Sequence, residues 1–423
     1  MKKLHLKLAL LLCICLLLSG CAFPLQRVSP DPVAIPTATE EPAAPTFRPG
    51  DFAIPAPPAD AGGALAEPAE TPVTVPALRP IAEPKLALFW YAMADARVFE
   101  LREAFAPVLA DSGMVYREYD AENDRYRQLD QIRDAVSGGW DILAVQLVAE
   151  SDSSAAEEIL QAAGGNPVLF FDRVPDPDRL PADAASGSVA LIGSDPAEAG
   201  RLQGKMAGDY LVQHFSTADL NQDGQIRYTY LLSSADSAMA LLRCSTAVEA
   251  ANAVLIENGY RPLAYCDEET TICYQADPTG AGSSDAGTDI LRNDLSYYNY
   301  TNSNMIELIL ADTDDMALGA LTALQASWCN LGDGSTVTIP LFGIGGAVAA
   351  RSAVSLGQMT GTVGVNAGGY ADAVLSAAQG LASGQTAEAA ITAVAVSSAD
   401  YVQDNSRPWA LFIAPSPVHS DHG

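Results

Sequence analysis

From residue 86 onward, the chain alternates short apolar runs with segments of helical pattern. The apolar runs are LALFWY (86–91), ILAVQLV (142–148), PVLFFD (167–172), SVALIG (188–193), RYTYLL (227–232), IELILA (306–311) and TIPLFG (338–343). Runs this short and apolar, separated by helices, are typical of parallel strands that helices cover on both faces. About 340 residues are too many for one such core, so we predict an α/β fold with two Rossmann-like, doubly wound lobes.

The N-terminus has the pattern of an export signal. Basic residues precede an apolar run at 8–18, which ends on the letters LSGC. The run is too short to span a membrane and is typical of a signal peptide. Its ending resembles a bacterial lipobox, in which Cys21 becomes the lipid-modified N-terminus; a plain signal peptide with an incidental cysteine is the alternative. We therefore expect loss of residues 1–20 and an extracytoplasmic protein that a lipid on Cys21 anchors to the cell membrane.

Residues 21–84 differ in composition from the rest of the chain. Positions 22–84 hold 15 of the 27 prolines, with Ala, Thr and Glu between them and no apolar periodicity. Such a composition cannot bury a core, because it offers too little apolar surface to offset the entropy of ordering. We predict a disordered, semi-rigid tether between the lipid anchor and the folded part.

Charge and side-chain chemistry exclude several classes of function. With 23 basic and 52 acidic residues, the formal net charge of −29 repels nucleic acids and anionic membrane surfaces. Of the four histidines, we place only His214 in the folded region, which leaves no triad, dyad or zinc site, so we predict no enzyme. Cys266 and Cys273 form a local disulfide in an oxidising compartment or remain idle thiols.

The segment DLNQDGQIR at 219–227 has the pattern of a calcium-binding loop. Oxygen-bearing side chains at positions 1, 3 and 5 point at one centre, and Gly224 at position 6 permits a sharp turn. The candidate ligands in the loop are Asp219, Asn221, Asp223 and the backbone carbonyl of Gln225. Position 12, where a complete loop has a bidentate Glu, is Tyr230. Either further oxygens come from elsewhere in the fold, or the segment is an Asx-rich turn without metal.

DLNQDGQI followed by an apolar strand resembles the calcium loop of bacterial galactose/glucose-binding proteins. In that family, a distant Glu near an A-x-x-D-x-M-A-x-G-A segment supplies the missing carboxylate. The sequence ADTDDMALGA at 311–320 matches this segment, so the resemblance implies Glu307 as the remaining ligand and Ca²⁺ as a cofactor. Arg227 stands at position 9, where the family has a side-chain oxygen. We expect it to weaken the site or to swing outward and admit water.

The resemblance extends over most of residues 85–415 through motifs in the family's order, among them PVLFFDR, IGSDPAEAGRLQGKMAGDYL and TGTVGVNAG. It implies the type 1 periplasmic-binding-protein fold, in which three hinge crossovers join two lobes around a sugar. The crossovers would lie near 193–195, 364–366 and 406–409. The N-terminal lobe would then comprise 85–194 with 366–406, and the C-terminal lobe 195–365 with 407–423.

The resemblance also implies a ligand pocket. The implied ligand-binding residues are Asp95, Phe99, Gln146, Arg243, Thr313 and Asn366. Family members clamp the sugar between two aromatic rings and hydrogen-bond its hydroxyls with planar polar groups. In this chain, Arg97 replaces the first ring, and Gly345 and Val365 replace polar residues. The nearest candidates for the second ring are Tyr297, Tyr298 and Tyr300. A pocket altered this far is not expected to bind glucose tightly through the family's contacts.

These observations predict a monomeric solute-binding lipoprotein. It would capture a small polar solute, a sugar by resemblance, and deliver it to an ABC permease or a membrane sensor. The alternative is a degenerate sensory or interaction module that docks a membrane receptor without binding a free sugar. We interpret the Gly/Ser-rich stretch at 279–287 as a flexible insertion.

Overall fold

The computed structural model describes residues 80–150, 152–180, 187–299 and 304–419. All of them belong to a compact unit that spans Pro72–Gly423. The predicted signal peptide, Cys21, the predicted tether up to residue 79 and Tyr300 lie outside the described residues.

The described residues form fourteen strands and ten α-helices. The strands are β1 (Lys85–Trp90), β2 (Val115–Asp120), β3 (Ile142–Val145), β4 (Val168–Phe171), β5 (Val189–Ser194), β6 (Arg227–Leu232), β7 (Ala264–Tyr265), β8 (Gln275–Ala276), β9 (Leu308–Ala311), β10 (Leu341–Gly345), β11 (Gly361–Gly364), β12 (Tyr401–Gln403), β13 (Ala410–Ile413) and β14 (Ser416–His419). The helices are α1 (Ala96–Asp111), α2 (Arg125–Ser137), α3 (Ser153–Ala163), α4 (Pro196–Ala218), α5 (Ala238–Glu257), α6 (Ser284–Tyr297), α7 (Asp314–Ala326), α8 (Val348–Ser355), α9 (Ala367–Ala382) and α10 (Ala387–Ala395).

The first lobe is built on a seven-stranded sheet in the order β12–β13–β5–β4–β3–β1–β2. Its strands run parallel apart from β12, which pairs antiparallel with β13. Every residue of β3 and β4 is buried, as expected for strands covered on both faces. Apolar side chains of α1, α9 and α10 pack on one face, and those of α2 and α3 pack on the other.

The second lobe has a sheet in the order β14–β11–β10–β9–β6–β7, and β8 also pairs with β6. Strand β14 runs antiparallel to β11, whereas the other pairs are parallel. The predicted α/β fold with two doubly wound lobes is confirmed. Because β14 includes His419, the folded region holds a second histidine that the sequence analysis left out.

Close helix packing in the second lobe depends on glycines in α4. Gly200, Gly204 and Gly208 recur every four residues and therefore lie on one face of α4, against α5. A Cβ atom on Gly204 would lie 1.9 Å from the carbonyl oxygen of Ala247. Helix α5 is long and apolar enough to cross a membrane by length and composition alone. Its buried residues, which include Ala247 and Leu255, belong to the core of this lobe instead.

Within the described residues, the chain passes between the lobes three times. Two passages lie between β5 and α4 and between β11 and α9. The third was predicted near 406–409, and that prediction is wrong. Strand β13 pairs in parallel with β5, so residues 410–413 belong to the first lobe and the chain crosses at 414–415, before β14. The apolar residues of β13 extend the core of the first lobe.

The four cysteines among the described residues are free thiols. Cys266 is buried at the end of β7, whereas Cys273 is exposed. The disulfide alternative for this pair is therefore wrong. Burial raises the pKa of the Cys266 thiol to about 12, which is typical of an unreactive core cysteine.

Candidate ligand-binding cleft

A cleft of about 680 Å³ lies between the two lobes. Its walls come from the loops that follow β1, β3 and β4 in the first lobe and β6, β8 and β9 in the second. Parallel strands place the loops at their carboxyl ends on one edge of a sheet, where ligands of open α/β folds bind. Of the predicted ligand residues, Asp95, Arg243 and Thr313 line this cleft.

Asp95 lies where β1 gives way to α1. Its side chain caps the helix by accepting hydrogen bonds from the backbone N–H groups of Arg97 (2.8 Å) and Val98 (3.1 Å). Burial, together with the neighbouring Asp95 carboxylate, raises the pKa of Tyr91 above its ordinary value. The phenol therefore stays protonated, with the Asp95 carboxylate as its neighbouring acceptor at the cleft wall.

Arg173 is a cleft residue that the sequence analysis did not select. Its Nε donates to the Leu147 carbonyl (2.7 Å) and its Nη2 to the Val148 carbonyl (3.1 Å). The guanidinium lies 4.4 Å from the centre of the Tyr91 ring, a cation–π contact that covers one face of this ring. Its position directly after the strand and aspartate of PVLFFD was the available signal, because that is where the carboxyl edge of the sheet begins.

Glu150 is the acidic neighbour of Arg173, with 3.9 Å between Oε2 and Nη2. Burial raises the pKa of Glu150, while Arg173 and Arg243 oppose this shift from the two lobes. Glu150 could not be predicted from the sequence either, because no motif distinguishes it among many acidic residues.

Arg243 reaches the cleft from α5. Its Nη1 donates to the Asp312 carbonyl at 3.5 Å, and its buried Nε has no partner among the described residues. The Asp312 side chain below it accepts hydrogen bonds from the Ser233 N–H (2.7 Å) and hydroxyl (2.5 Å). Burial raises the pKa of Asp312, and the Arg243 charge opposes the shift. Thr313 caps α7, accepting from the Met316 N–H at 3.3 Å.

The other three predicted ligand residues do not line the cleft. Phe99 lies on α1 with 59% of its surface exposed. Gln146 is fully buried, donating to Asp172 Oδ2 (2.7 Å) and accepting from the Tyr91 N–H (3.3 Å), so it supports the cleft from behind. Asn366 caps α9 through a bond from the Gly368 N–H. Asn366 and Gln146 match ligand-binding positions of the family in sequence but not in role. A helix cap uses the Asn366 side chain, and buried hydrogen bonds use the Gln146 amide.

Arg97 occupies the position that the resemblance gives to the first stacking ring. Its Nη2 lies 3.5 Å from Asp172 Oδ1 and 3.4 Å from the Val365 carbonyl at the second crossover. The guanidinium also lies 5.8 Å from the centre of the Tyr370 ring. An ion pair therefore takes the place of an apolar stacking surface.

The Gly/Ser-rich stretch is an ordered wall of the cleft, contrary to the interpretation as a flexible insertion. The Asp277 carboxylate accepts hydrogen bonds from the N–H groups of Thr279 (2.8 Å) and Gly282 (2.9 Å), which fold the loop back on itself. Gly282 has φ +63°, a conformation that glycine adopts without strain. Neither Tyr297 nor Tyr298 lines the cleft, so this wall presents hydroxyls and backbone instead of a ring.

Comparison with known proteins agrees with this geometry. A family model described as a periplasmic binding protein domain matches residues 86–386. The chain belongs to this family. It is 29% identical over 273 residues to the D-galactose/methyl-galactoside binding periplasmic protein of Haemophilus influenzae, covering 63% of this chain and 72% of that protein. The relatives are solute-binding proteins and not enzymes, as predicted for this chain.

Solved structures show the same fold at low sequence identity. A solute-binding protein from Bacillus halodurans with bound myo-inositol has a TM-score of 0.55 and 18% identity, covering 80% of this chain and 94% of that chain. A periplasmic solute-binding protein from Actinobacillus succinogenes with bound D-allose has a TM-score of 0.56 and 16% identity, covering 80% and 98%. Identities this low establish the type 1 fold alone.

In this periplasmic binding protein, the 219–225 loop and Glu307 lie together at one end of the second lobe. The fully buried Glu307 carboxylate accepts hydrogen bonds from the N–H groups of Leu220 (2.7 Å), Asn221 (3.2 Å) and Arg227 (3.1 Å). Burial raises the pKa of Glu307, and the backbone donors oppose the shift. The carboxylate that the sequence analysis paired with the loop thus contacts it directly.

Inside the loop, the side-chain oxygens accept from the loop's own backbone. Asp219 accepts from the N–H groups of Asp223 (3.2 Å) and Gly224 (2.9 Å), and Asn221 Oδ1 accepts from that of Asp223 (3.0 Å). The Gln225 side chain turns away and donates to the Pro262 carbonyl. The carboxylate, amide and carbonyl oxygens are the donor types that Ca²⁺ prefers.

One of the two expectations for Arg227 was that its side chain swings outward into solvent. The structure contradicts this expectation. The Arg227 side chain is 13% exposed, and it pairs with Asp223 (2.6 Å) and Glu268 (3.0 Å). Among the described residues, no three His, Cys, Asp or Glu side chains are grouped closely enough to share a metal ion. The oxygens of the set are of the type that a hard cation takes, but the guanidinium already supplies a positive charge to Asp223.

Proposed function

We propose that this protein is exported, is lipid-anchored through Cys21, and captures a small polar solute of the sugar or polyol type between its lobes. The supporting observation is the cleft of about 680 Å³, which has hydrogen-bonding groups on both walls. This volume lies in the usual range for small-molecule sites. The partner that accepts the solute would be an ABC permease or a membrane sensor, since relatives of this fold work with ABC transporters.

Contacts between the lobes support closure around the solute. The Glu100 carboxylate on α1 of the first lobe accepts a hydrogen bond from the Val348 N–H at the start of α8 in the second lobe. It also lies 3.5 Å from Arg351 Nη2. The N-cap residue of α8, Ala347, has no side-chain oxygen to cap the helix, so Glu100 supplies the cap from the other lobe. This contact exists only while the lobes are together, as in hinge closure of binding proteins.

A thermal-shift screen against sugars and polyols, followed by calorimetry, tests the function. We expect at least one solute to raise the melting temperature of the mature protein. Arg243→Ala should abolish that shift, because it removes a donor that the cleft leaves unpartnered. Phe99→Ala, on the exposed face of α1, is the matched control and should bind normally. If no solute binds, the alternative of a receptor-docking module without a free ligand replaces this proposal.

We also propose that the second lobe holds Ca²⁺ through Asp219, Asn221, Asp223, the Gln225 carbonyl and Glu307. The contact between Glu307 and the loop backbone supports it, as does the oxygen chemistry of the set. Because Arg227 pairs with Asp223, the guanidinium competes with the ion and lowers its affinity. Chelation should lower the melting temperature, and this effect should be absent in Glu307→Ala. An unchanged melting temperature on chelation of the wild-type protein would remove the calcium proposal.

A further inference from the structure

Arg97 contacts three separate parts of the chain with one guanidinium. Its Nη2 lies 3.5 Å from Asp172 Oδ1, directly after β4, and 3.4 Å from the Val365 carbonyl at the second crossover. Its Nη1 lies 4.0 Å from Glu100 Oε2, one turn further along α1. The side chain is 19% exposed, so water and salt screen these contacts only in part. Because Arg97 lies behind the lining of the cleft, it is placed to hold segments together and not to touch a solute.

On the inner side, Asp172 links Arg97 to the wall of the cleft. Its Oδ2 accepts a hydrogen bond from Gln146 Nε2 (2.7 Å), and Gln146 Oε1 accepts one from the N–H of Tyr91 (3.3 Å). Tyr91 lines the cleft, and Arg173, the residue after Asp172, covers the Tyr91 ring. Asp172 has φ +57°, which is uncommon outside glycine, and such conformations persist where surrounding contacts maintain them. The contacts of the Asp172 carboxylate therefore help to fix the direction in which Arg173 enters the cleft.

On the outer side, Glu100 links Arg97 to the second lobe. Its carboxylate accepts from the Val348 N–H and lies 3.5 Å from Arg351 Nη2. With 12% of the side chain exposed, this carboxylate is costly to enclose without a nearby positive charge. Arg351 belongs to the other lobe and moves away when the lobes open, whereas Arg97 lies on the same helix as Glu100 and stays. Arg97 is thus the partner that keeps Glu100 compensated and oriented before the lobes meet.

We propose that Arg97 is a positioning residue that couples the wall of the cleft to the closing contact between the lobes. It holds the wall through Asp172, the cap on α8 through Glu100, and the second crossover through the Val365 carbonyl. This inference rests on the proposed function, since it assigns a residue to the closing of the same cleft. A solute that orders the wall then favours the closed form, and closing orders the wall in return, because coupling between two sites is reciprocal.

A packing role of Arg97 and a role of its charge predict different results. Arg97→Met keeps most of the volume and removes the charge, whereas Arg97→Lys keeps the charge. If Arg97 only fills space, the Met variant should resemble the wild type. If it positions its neighbours, the Lys variant should be the closer one to the wild type, although a single ammonium cannot replace the planar fork at three oxygen groups.

Amide hydrogen exchange of the mature protein without solute, read by NMR, tests the inference because it reports each segment separately. In Arg97→Met we expect exchange to be about 10-fold faster at the Val348 amide, where the cap forms. At the Tyr91 amide, which is further along the chain of contacts, we expect it to be about 3-fold faster. Glu100→Ala should accelerate the Val348 amide alone, because it breaks only the outer link.

The matched control is Arg102→Met. Arg102 lies on the same helix as Arg97, but it pairs with Glu118 inside the first lobe (2.7 Å), so its loss should change neither amide. Exchange in β3, whose residues are all buried, should stay slow in every variant and shows that the fold is intact.

The outcomes separate this inference from the proposed function. Wild-type exchange at both amides in Arg97→Met, or acceleration at Val348 alone, overturns the coupling and leaves solute binding untouched. If both amides respond as expected but no sugar or polyol binds in the thermal-shift screen, the proposed class of solute fails and the coupling between wall and closing contact stands.

Discussion

Two polar regions of the second lobe differ in how their charges are satisfied. In the 219–225 loop, Glu307 and Asp219 each accept hydrogen bonds from two or three backbone N–H groups, and Asp223 pairs with Arg227. In the cleft, Asp315 has no partner among the described residues, and neither has the Nε of Arg243.

The difference separates structural from functional polar groups. Nearly all buried polar groups in folded proteins are hydrogen-bonded, so the buried Arg243 Nε that the fold leaves unpaired is the group that we expect a solute to meet, whereas the exposed Asp315 is open to water. The loop is satisfied from within and should contribute to stability. The cleft is incomplete from within and should contribute to binding. Mutations in the two regions should therefore affect different measurements.

Glu307→Ala should have the largest effect on stability. Three N–H groups lose their acceptor, at about 1–3 kcal/mol for each unpaired group. Because Leu220, Asn221 and Arg227 are only partly buried and water can reach them, we expect a loss near the lower end of the summed range, about 3–5 kcal/mol. Urea unfolding with chelator present measures it without a contribution from calcium. Glu307→Gln keeps one acceptor oxygen and should lose less. A stability equal to that of the wild type would show that the loop is not structural.

Asp294 is intermediate between Glu307, which has three hydrogen-bond donors, and Asp315, which has no partner. It is buried on α6 with one side-chain partner, the Thr229 hydroxyl at 2.9 Å, and burial raises its pKa to about 6. The pKa of Asp294 in the folded state exceeds its value of about 3.9 in the unfolded state. The favourable contribution of Asp294 to the free energy of unfolding is therefore present below pH 4 and is lost as the pH rises through 6.

We therefore expect Asp294→Asn to become more stable relative to the wild type, by about 2–3 kcal/mol, between pH 4 and pH 7.5. Comparing the two proteins by urea unfolding at each pH cancels the titration of the other acids. The matched control is Asp289→Asn on the same helix, whose exposed side chain should show no such trend. A constant difference across this pH range would contradict the assigned shift.

Arg227→Gln should have a smaller effect on stability. Compared with the wild type, the variant should be less stable without calcium and should be stabilised more by calcium. Without the ion, the variant loses two partly exposed ion pairs, worth up to about 1 kcal/mol. With the ion, Asp223 is free and position 9 again offers an oxygen, so calcium should raise the melting temperature more than in the wild type. Differential scanning fluorimetry across a calcium titration measures both. An identical calcium response would show that Arg227 does not compete.

Asp315→Ala should have the smallest effect on stability. Since the carboxylate has no internal partner, the unfolding free energy should change by less than about 0.5 kcal/mol, or increase as repulsion from Asp95 disappears. Urea unfolding without solute measures it. A large loss would show that Asp315 stabilises the fold, and the contrast between the two regions would fail.

The sequence allowed the fold to be predicted well, because apolar runs and helical segments reflect local physics. The contact between Glu307 and the loop, 80 or more residues apart, came from the family resemblance and not from periodicity. The error at the third crossover has a simple cause. The apolar strand at 410–413 suits either sheet, and only its pairing with β5 decides between them.

The cleft was harder to predict, because its residues depend on tertiary contacts. The Gly/Ser-rich stretch at 279–287 looks flexible by composition, yet one carboxylate, that of Asp277, orders its first part. Asn366 and Gln146 are polar in sequence, but a helix cap and a buried amide contact use their side chains. Arg173 ends the PVLFFDR motif, but the motif does not show which side chain the arginine meets, so its contact with Tyr91 was visible only in the structure.

The cap that Glu100 provides to α8 has a consequence for how tightly any solute is retained. No solute atom takes part in it, so this portion of the closing free energy is the same whether the cleft is full or empty. A stronger cap shifts the resting population towards the closed form and increases the apparent affinity for every solute by one common factor. The residues that select the solute are therefore different from the residue that helps to retain it, so that either property can change without the other.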